Sequence, residues 1–290
     1  MPTTPFVDWP SIISWSGLLP DDLAYRETVS TSSKKCAVVE LGRISYSRAC
    51  ELQQRAVAAR KANEISDVLL LCEHPHVITL GRNGKTEHLR VSDRLLSQMN
   101  VEFCETDRGG DITYHGPGQV VGYPILDLAE HRRDVRWYVR LLEETMIRAS
   151  AEFGITARRI EGRHGLWVDA DSGEEEKLGA IGVHLSRWVT SHGFAYNVST
   201  DLGYFDLIVP CGIPGKRATS LERLLKRAVS ADQVKPRISA HFGEVFEREM
   251  SSRSQAELLE AISAGSPIGN LAASGPSELE SAVTGAASGD

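Results

Sequence analysis

Residues 68 to 71 read Val-Leu-Leu-Leu, an apolar run with no polar interruption. A strand wetted on one face alternates apolar and polar side chains, whereas an unbroken run is expected of a strand covered on both faces. This short stretch therefore asks for a sheet with material packed on each side. The clearest covering element is a helix opened by Asp134. Val135, Tyr138, Leu142, Met146, Ala149 and Phe153 recur at steps of three and four, and Gly154 supplies a C-terminal stop.

Further strands are expected at Cys36 to Leu41, His76 to Leu80, Val101 to Thr106, Val120 to Leu126, Ala157 to Ile160 and Gly165 to Asp169. Lys177 to Ser186 and Trp188 to Val198 are joined so tightly that they predict a hairpin. In the first of these, Ile181, Val183 and Leu185 alternate with Gly182, His184 and Ser186, so one face belongs to a core and the other is available to a ligand. Helices are predicted from Ser47 as N-cap through Ala59, near Ser92 to Met99, at Leu221 to Arg227, and from Ala231 into Glu249. Residues 1–35 lack periodicity and read as an N-terminal extension. Residues 251–290 contain no aromatic side chain and are rich in serine, alanine and glycine, so they read as a tail unable to offset its conformational entropy, with Ala256 to Ile262 forming at most a helical turn or two. One domain over residues 36–250 remains.

No apolar run approaches the roughly 20 residues that span a bilayer, and the start of the chain has neither the basic flank of a secretory signal nor an arginine-rich presequence. The expected location is the cytoplasm. Net charge is −7, which argues against a coat for nucleic acid. Basic clusters at Arg132, Arg133, Arg136 and Arg140, and at Lys216, Arg217, Arg223, Lys226 and Arg227, read either as solvated faces or as docking sites for an acidic protein. Five cysteines without CxxC spacing predict neither a disulfide framework nor a zinc site. Cys36, Cys50, Cys72 and Cys104 sit in or beside periodic apolar segments as small hydrophobes, whereas Cys211 stands in Val-Pro-Cys-Gly-Ile-Pro-Gly, a turn that presents its sulfur.

Two glycine-rich segments compete for a ligand. Gly-Arg-Asn-Gly-Lys-Thr, residues 81 to 86, imitates the end of a phosphate loop, but Thr79 occupies the position where that motif needs glycine. It reads as a turn. Arg-Gly-Gly-Asp-Ile-Thr-Tyr-His-Gly-Pro-Gly-Gln, residues 108 to 119, interleaves glycines with Arg108 and His115, so that backbone freedom and donors coincide. A thiol at Cys211 needs a nearby cation to become thiolate, and the residues offer His115, His184, His192 and Lys177.

Taken together, the 108–119 segment, Lys-Leu-Gly-Ala-Ile-Gly-Val-His, Ser-His-Gly-Phe-Ala-Tyr-Asn-Val and Val-Pro-Cys-Gly-Ile resemble, in order, the octanoyltransferases of lipoate biosynthesis, relatives of biotin and lipoate protein ligases. The resemblance spans about residues 36 to 227. It implies an α/β (α+β) fold with a mixed, mostly antiparallel central sheet flanked by helices. It also implies an acyltransferase that moves octanoyl from octanoyl-acyl carrier protein to a lysine of lipoyl domains, those of 2-oxoacid dehydrogenases and the glycine cleavage H protein, without cofactor, metal, nucleic acid or membrane. Cys211 then matches the nucleophile, and Lys177 replaces histidine as its activating cation. The substrate-binding positions implied are Arg108, Gly109, Gly110, Asp111, Ile112, Thr113, Tyr114, His115, Ala180, Ile181, Gly182, Gly193, Phe194 and Ala195, with the glycines read as walls that admit the acyl chain. Two rival readings remain: an ATP-dependent lipoate or biotin ligase, and a non-catalytic acyl-binding module.

Overall fold

A computed structural model describes residues 34–170, 173–209 and 217–264. The unbroken run at 68 to 71 falls in β2 (Asp67–Glu73), and the strand is buried on both faces as its pattern requires. Its odd and even residues serve different cores: Leu69 and Leu71 face one, and Val68, Leu70 and Cys72 face the other. Around β2 lies a nine-stranded sheet. From one edge it runs through β12 (Arg248–Arg253), β1 (Lys34–Arg43), β2, β6 (Gln119–Ile125), β10 (Val189–Asn197), β9 (Glu175–Ser186), β8 (Arg163–Asp169) and β7 (Arg158–Ile160). A short strand, β11 (Arg217–Ala218), pairs with β9 at Glu176 and Lys177. The pairings of β1 with β2 and β12, and of β9 with β11, are parallel; the other neighbours in this sheet are antiparallel.

The amphipathic helix predicted from Asp134 is α3 (Val135–Ala151), capped by the Asp134 carboxylate on Trp137 N at 3.0 Å. Tyr138, Leu142, Met146 and Ala149 pack on one face of the sheet beside α4 (Leu221–Leu225) and α5 (Ala231–Val245). The opposite face is covered by α1 (Tyr46–Lys61) and α6 (Gln255–Ala264). A second sheet of three strands, β4 (Glu102–Glu105), β3 (Val77–Leu80) and β5 (Ile112–His115), has its own core with Leu96 of α2 (Asp93–Gln98) and with Ile208. No described helix is long and apolar enough to cross a membrane.

Three expectations are corrected. The N-cap of α1 is Ser45 rather than Ser47, since the Ser45 hydroxyl accepts from Arg48 N. The helix from Ala231 stops at Val245, because Glu247 adopts φ +53 and the chain turns into β12. The segment after 250 remains structured as far as Ala264. Strand β12 zips onto β1, and Leu258 and Ile262 of α6 are buried on the sheet. Composition missed this because two side chains at i and i+4 suffice when a sheet face is ready to receive them. A buried charge cluster holds the same corner: Asp67 accepts from Arg60 Nε at 2.8 Å and from Arg248 Nη2 at 2.7 Å, tying β2 to α1 and β12.

Candidate active site

A cleft opens where the three-stranded sheet folds over the α1 face of the large one. Its floor is Val121 and Tyr123 of β6, Gly193, Phe194 and Ala195 of β10, and Ala180, Ile181 and Gly182 of β9; Tyr46, His115, Arg108 and Gly110 to Thr113 wall it. His192 and Lys177 complete the lining. The space is about 540 Å³ with its solvent mouth included.

Gly110, Gly182 and Gly193 line the cleft, and the glycines also answer a packing need. Gly109 N donates to Val183 O at 2.9 Å, and a Cβ on Gly182 would stand 2.7 Å from Gly109 O. Gly81, Arg82 and Asn83 donate from their backbone nitrogens to Asp111 O, Arg108 O and Gly110 O. What passes close to this backbone is therefore other backbone: β9 on one side and the 81–84 turn on the other. Within 108–119, Gly110 at φ +90 and Gly118 at φ +77 use the conformational freedom of glycine. Gly109 forms this seam and does not line the cleft. Tyr114 points to the far side of β5, where its hydroxyl meets His76 Nδ1 at 2.7 Å and its ring stacks on Tyr204. The remaining twelve implied substrate-binding residues are brought together around the one cleft.

Arg108 is buried and braces the second sheet: Nη2 donates to Thr79 O at 2.7 Å and to Thr79 Oγ1 at 2.8 Å, and Nη1 donates to Gly109 O at 3.1 Å. Asp111 Oδ1 accepts from Ile112 N at 2.7 Å, and Oδ2 lies 2.6 Å from His88 Nδ1. These contacts set the loop in place from behind.

His115 has a defined tautomer. Asn197 Nδ2 donates to Thr219 O at 3.0 Å, so Asn197 Oδ1 accepts from Gln119 Nε2 at 2.8 Å. Gln119 Oε1 then faces His115 Nδ1 at 2.7 Å and accepts, which places the imidazole hydrogen on Nδ1. Burial, together with His74 and Arg108 nearby, pushes the His115 pKa down to about 3. It is a neutral ring at physiological pH, not the cation weighed in the sequence. His74 is likewise held low by burial; its Nδ1 donates to Ile44 O at 2.7 Å, and its Nε2 accepts from Tyr123 OH at 2.7 Å.

Lys177 is half-buried in the cleft wall, with Nζ 4.8 Å from the centre of the Trp167 ring. Its carbonyl accepts from Thr219 N at 2.9 Å, which joins it to the relay ending at His115. Cys211 lies outside the described residues. The described chain stops at Val209 and resumes at Arg217, whose strand pairs beside Lys177. The other four cysteines are free thiols. Burial pushes Cys36 and Cys72 well up, Cys50 to about 12 and Cys104 to about 11. Among the described residues, no group of three or more His, Cys, Asp or Glu is placed to hold a metal ion.

Sequence reasoning did not select Tyr46, Val121 or Tyr123 for the cleft, and it weighed His192 only as a cation for Cys211. The period-two alternation of β6 placed Val121 and Tyr123 on one face. Nothing local identified that face as the one under the second sheet. His184 stands at the rim, 3.6 Å from Asp107 Oδ2.

Residues 45–243 match the family described as the lipoyl protein ligase A/B catalytic domain. The chain is 54% identical over 217 residues to an octanoyltransferase of Solibacter usitatus, covering 75% of this chain and 96% of that protein. It is 48% identical over 219 residues to an octanoyltransferase of Acidobacterium capsulatum, covering 72% and 89%. Among solved structures, a bipartite lipoate protein ligase from Thermoplasma acidophilum superposes with a TM-score of 0.62 at 14% identity, over 80% of this chain and 91% of that one. This last likeness concerns the fold.

Proposed function

Since the chain belongs to the lipoyl protein ligase A/B catalytic-domain family, we propose a mechanism in which its cleft carries an octanoyl group between two proteins. The chain is an octanoyltransferase of protein lipoylation. The observation that carries this is the 54% identity held over 96% of an octanoyltransferase.

In the first step the thiolate of Cys211 attacks the thioester carbonyl of octanoyl-acyl carrier protein. A carbon–sulfur bond forms to Cys211, the old one breaks, and the carrier thiol leaves with its electron pair. In the second step the amine of a lipoyl-domain lysine attacks the new thioester, and an amide replaces it. The donor is already activated, so no ATP enters. Two observations support Cys211 as nucleophile: the four described thiols are held protonated by burial, and the chain returns from residues 210–216 beside Lys177. A cationic Lys177 favours thiolate over thiol.

Octanoyl buries seven carbons beyond its carbonyl, worth roughly 5 kcal/mol at ~0.8 kcal/mol per methylene. The small side chains of Ala180, Ala195, Gly182 and Gly193 leave a shallow floor on which that chain lies. Arg132, Arg133 and Arg136 are exposed at the start of α3, where they suit an acidic carrier or lipoyl domain. Free thiols at the four described cysteines suit action in the reducing cytoplasm.

The test is incubation with octanoyl-acyl carrier protein, followed by intact mass. An octanoyl adduct is expected on the parent protein and none on Cys211→Ser. An adduct that persists on the serine variant, or that forms only from ATP and free acid, overturns the mechanism.

A further inference from the structure

His192 carries three features that a purely structural histidine does not need. Its backbone is left-handed, at φ +54, in the middle of β10, a conformation that costs a non-glycine residue about 1 kcal/mol or more and that clusters at functional sites. The bend is held by Gln53 of α1, whose Oε1 accepts from His192 N at 2.8 Å. The ring is nine-tenths buried in the cleft wall, with Nε2 2.6 Å from Asp107 Oδ1. The third feature is that Nδ1 is shielded from solvent and has no hydrogen-bond partner among the described residues.

The Asp107 carboxylate accepts, so Nε2 carries the hydrogen and Nδ1 presents a lone pair. An unpartnered buried nitrogen costs about 1–3 kcal/mol in the free protein, which is recovered when a donor reaches it. A carboxylate behind the far nitrogen of an imidazole fixes its tautomer and stabilises the cation formed on proton uptake. Asp107 is 56% exposed and also approaches His184 at the rim, so a proton taken in the cleft has a path to water.

We propose that Asp107 and His192 form a proton-accepting pair serving the second half of octanoyl transfer, with His192 Nδ1 receiving the proton of the attacking lysine amine. This rests on the acyl-enzyme reading above. As the amine nitrogen bonds to the carbonyl carbon, one N–H proton passes to Nδ1. The carbon–sulfur bond then breaks with its electron pair going to sulfur, and the imidazolium, paired with Asp107, releases its proton through the rim. Lys177 serves the first half by supporting the thiolate.

The charged and titratable groups facing His192 are Asp107 and Arg108 from the loop before β5, His184 from β9, His115 from β5 and Tyr123 from β6. Burial lowers the His192 pKa, and Asp107 opposes that shift.

The two halves are separable in the full-length protein. Octanoyl-acyl carrier protein loads the enzyme, adduct formation is followed by intact mass, and a lipoyl domain is then added to follow discharge. Two variants are used: His192→Asn, because asparagine tolerates the left-handed backbone, and Asp107→Asn. We expect discharge to lose more than loading in both. Discharge slows about 100-fold in His192→Asn, the scale of a lost general base. In Asp107→Asn it slows less, and its pH profile moves to lower pH, because the imidazolium loses its carboxylate. Discharge at the parent rate in both variants overturns the proposal, as does an equal loss in loading and discharge. A parent protein that forms no adduct overturns the acyl-enzyme reading itself, and this proposal with it.

Discussion

The neutral state of His115 makes a measurable demand on stability. Its pKa is about 3 in the folded chain, against ~6.5 in an unfolded one. Above pH 6.5 neither state binds the proton and the contribution is constant. Between pH 6.5 and 3 the unfolded chain binds a proton that the folded one refuses, so stability falls as pH falls. At about 1.4 kcal/mol per pH unit, His115 alone removes about 2 kcal/mol between pH 6.5 and 5, and about 5 kcal/mol by pH 3. His74, His192 and His131 are also held low by burial and add slope in the same direction. A single curve therefore does not isolate the effect, but a difference does. Urea unfolding of the parent and of His115→Gln, at pH 7, 6.5, 6, 5.5 and 5, gives two stability profiles. The parent is expected to lose about 2 kcal/mol more than the variant from pH 6.5 to 5. Parallel profiles would mean that the folded chain binds the His115 proton as readily as the unfolded one, and the neutral assignment would fall.

Other perturbations test the same construction. Arg248→Met leaves Asp67 buried with Arg60 as its remaining guanidinium partner, and a loss of about 3 kcal/mol or more is expected in chemical denaturation. Gly182→Ala drives a Cβ to 2.7 Å from Gly109 O; overpacking of about 1–3 kcal/mol and a raised KM for the acyl donor should appear together. Charge reversal at Arg132, Arg133 and Arg136 should weaken transfer more at low salt than at high salt, since surface charge is screened within about 10 Å at 0.1 M. In timed alkylation at pH 7 with peptide mapping, Cys36 and Cys72 should remain unmodified while Cys211 reacts first, and octanoyl-acyl carrier protein should protect Cys211.

Much of this was legible along the chain. The unbroken run of β2, the 3.6-residue spacing of α3 and the tight link between β9 and β10 are local patterns, and local steric and hydrophobic rules are enough to read them. The segments 108–115, 180–182 and 193–195 could be singled out because glycine and ionisable residues are interleaved there. The reason for the glycines could not be read this way. Gly109 and Gly182 face each other across more than seventy residues of chain, and only the folded register shows that they are small to admit each other's backbone. The full length of α6 was not legible for a related cause: its two buried side chains matter only because a sheet face lies beneath them.

Which residue types are available, which strands are doubly covered and which motifs resemble an acyltransferase can be read from the chain alone, since each is a property of neighbours along it. It took the meeting of distant strands to make His115 neutral, to set Arg108 against Thr79, and to back His192 with Asp107 while leaving its Nδ1 buried and without a hydrogen-bond partner among the described residues. Burial and hydrogen-bond direction set those protonation states, and both are created only when distant strands meet.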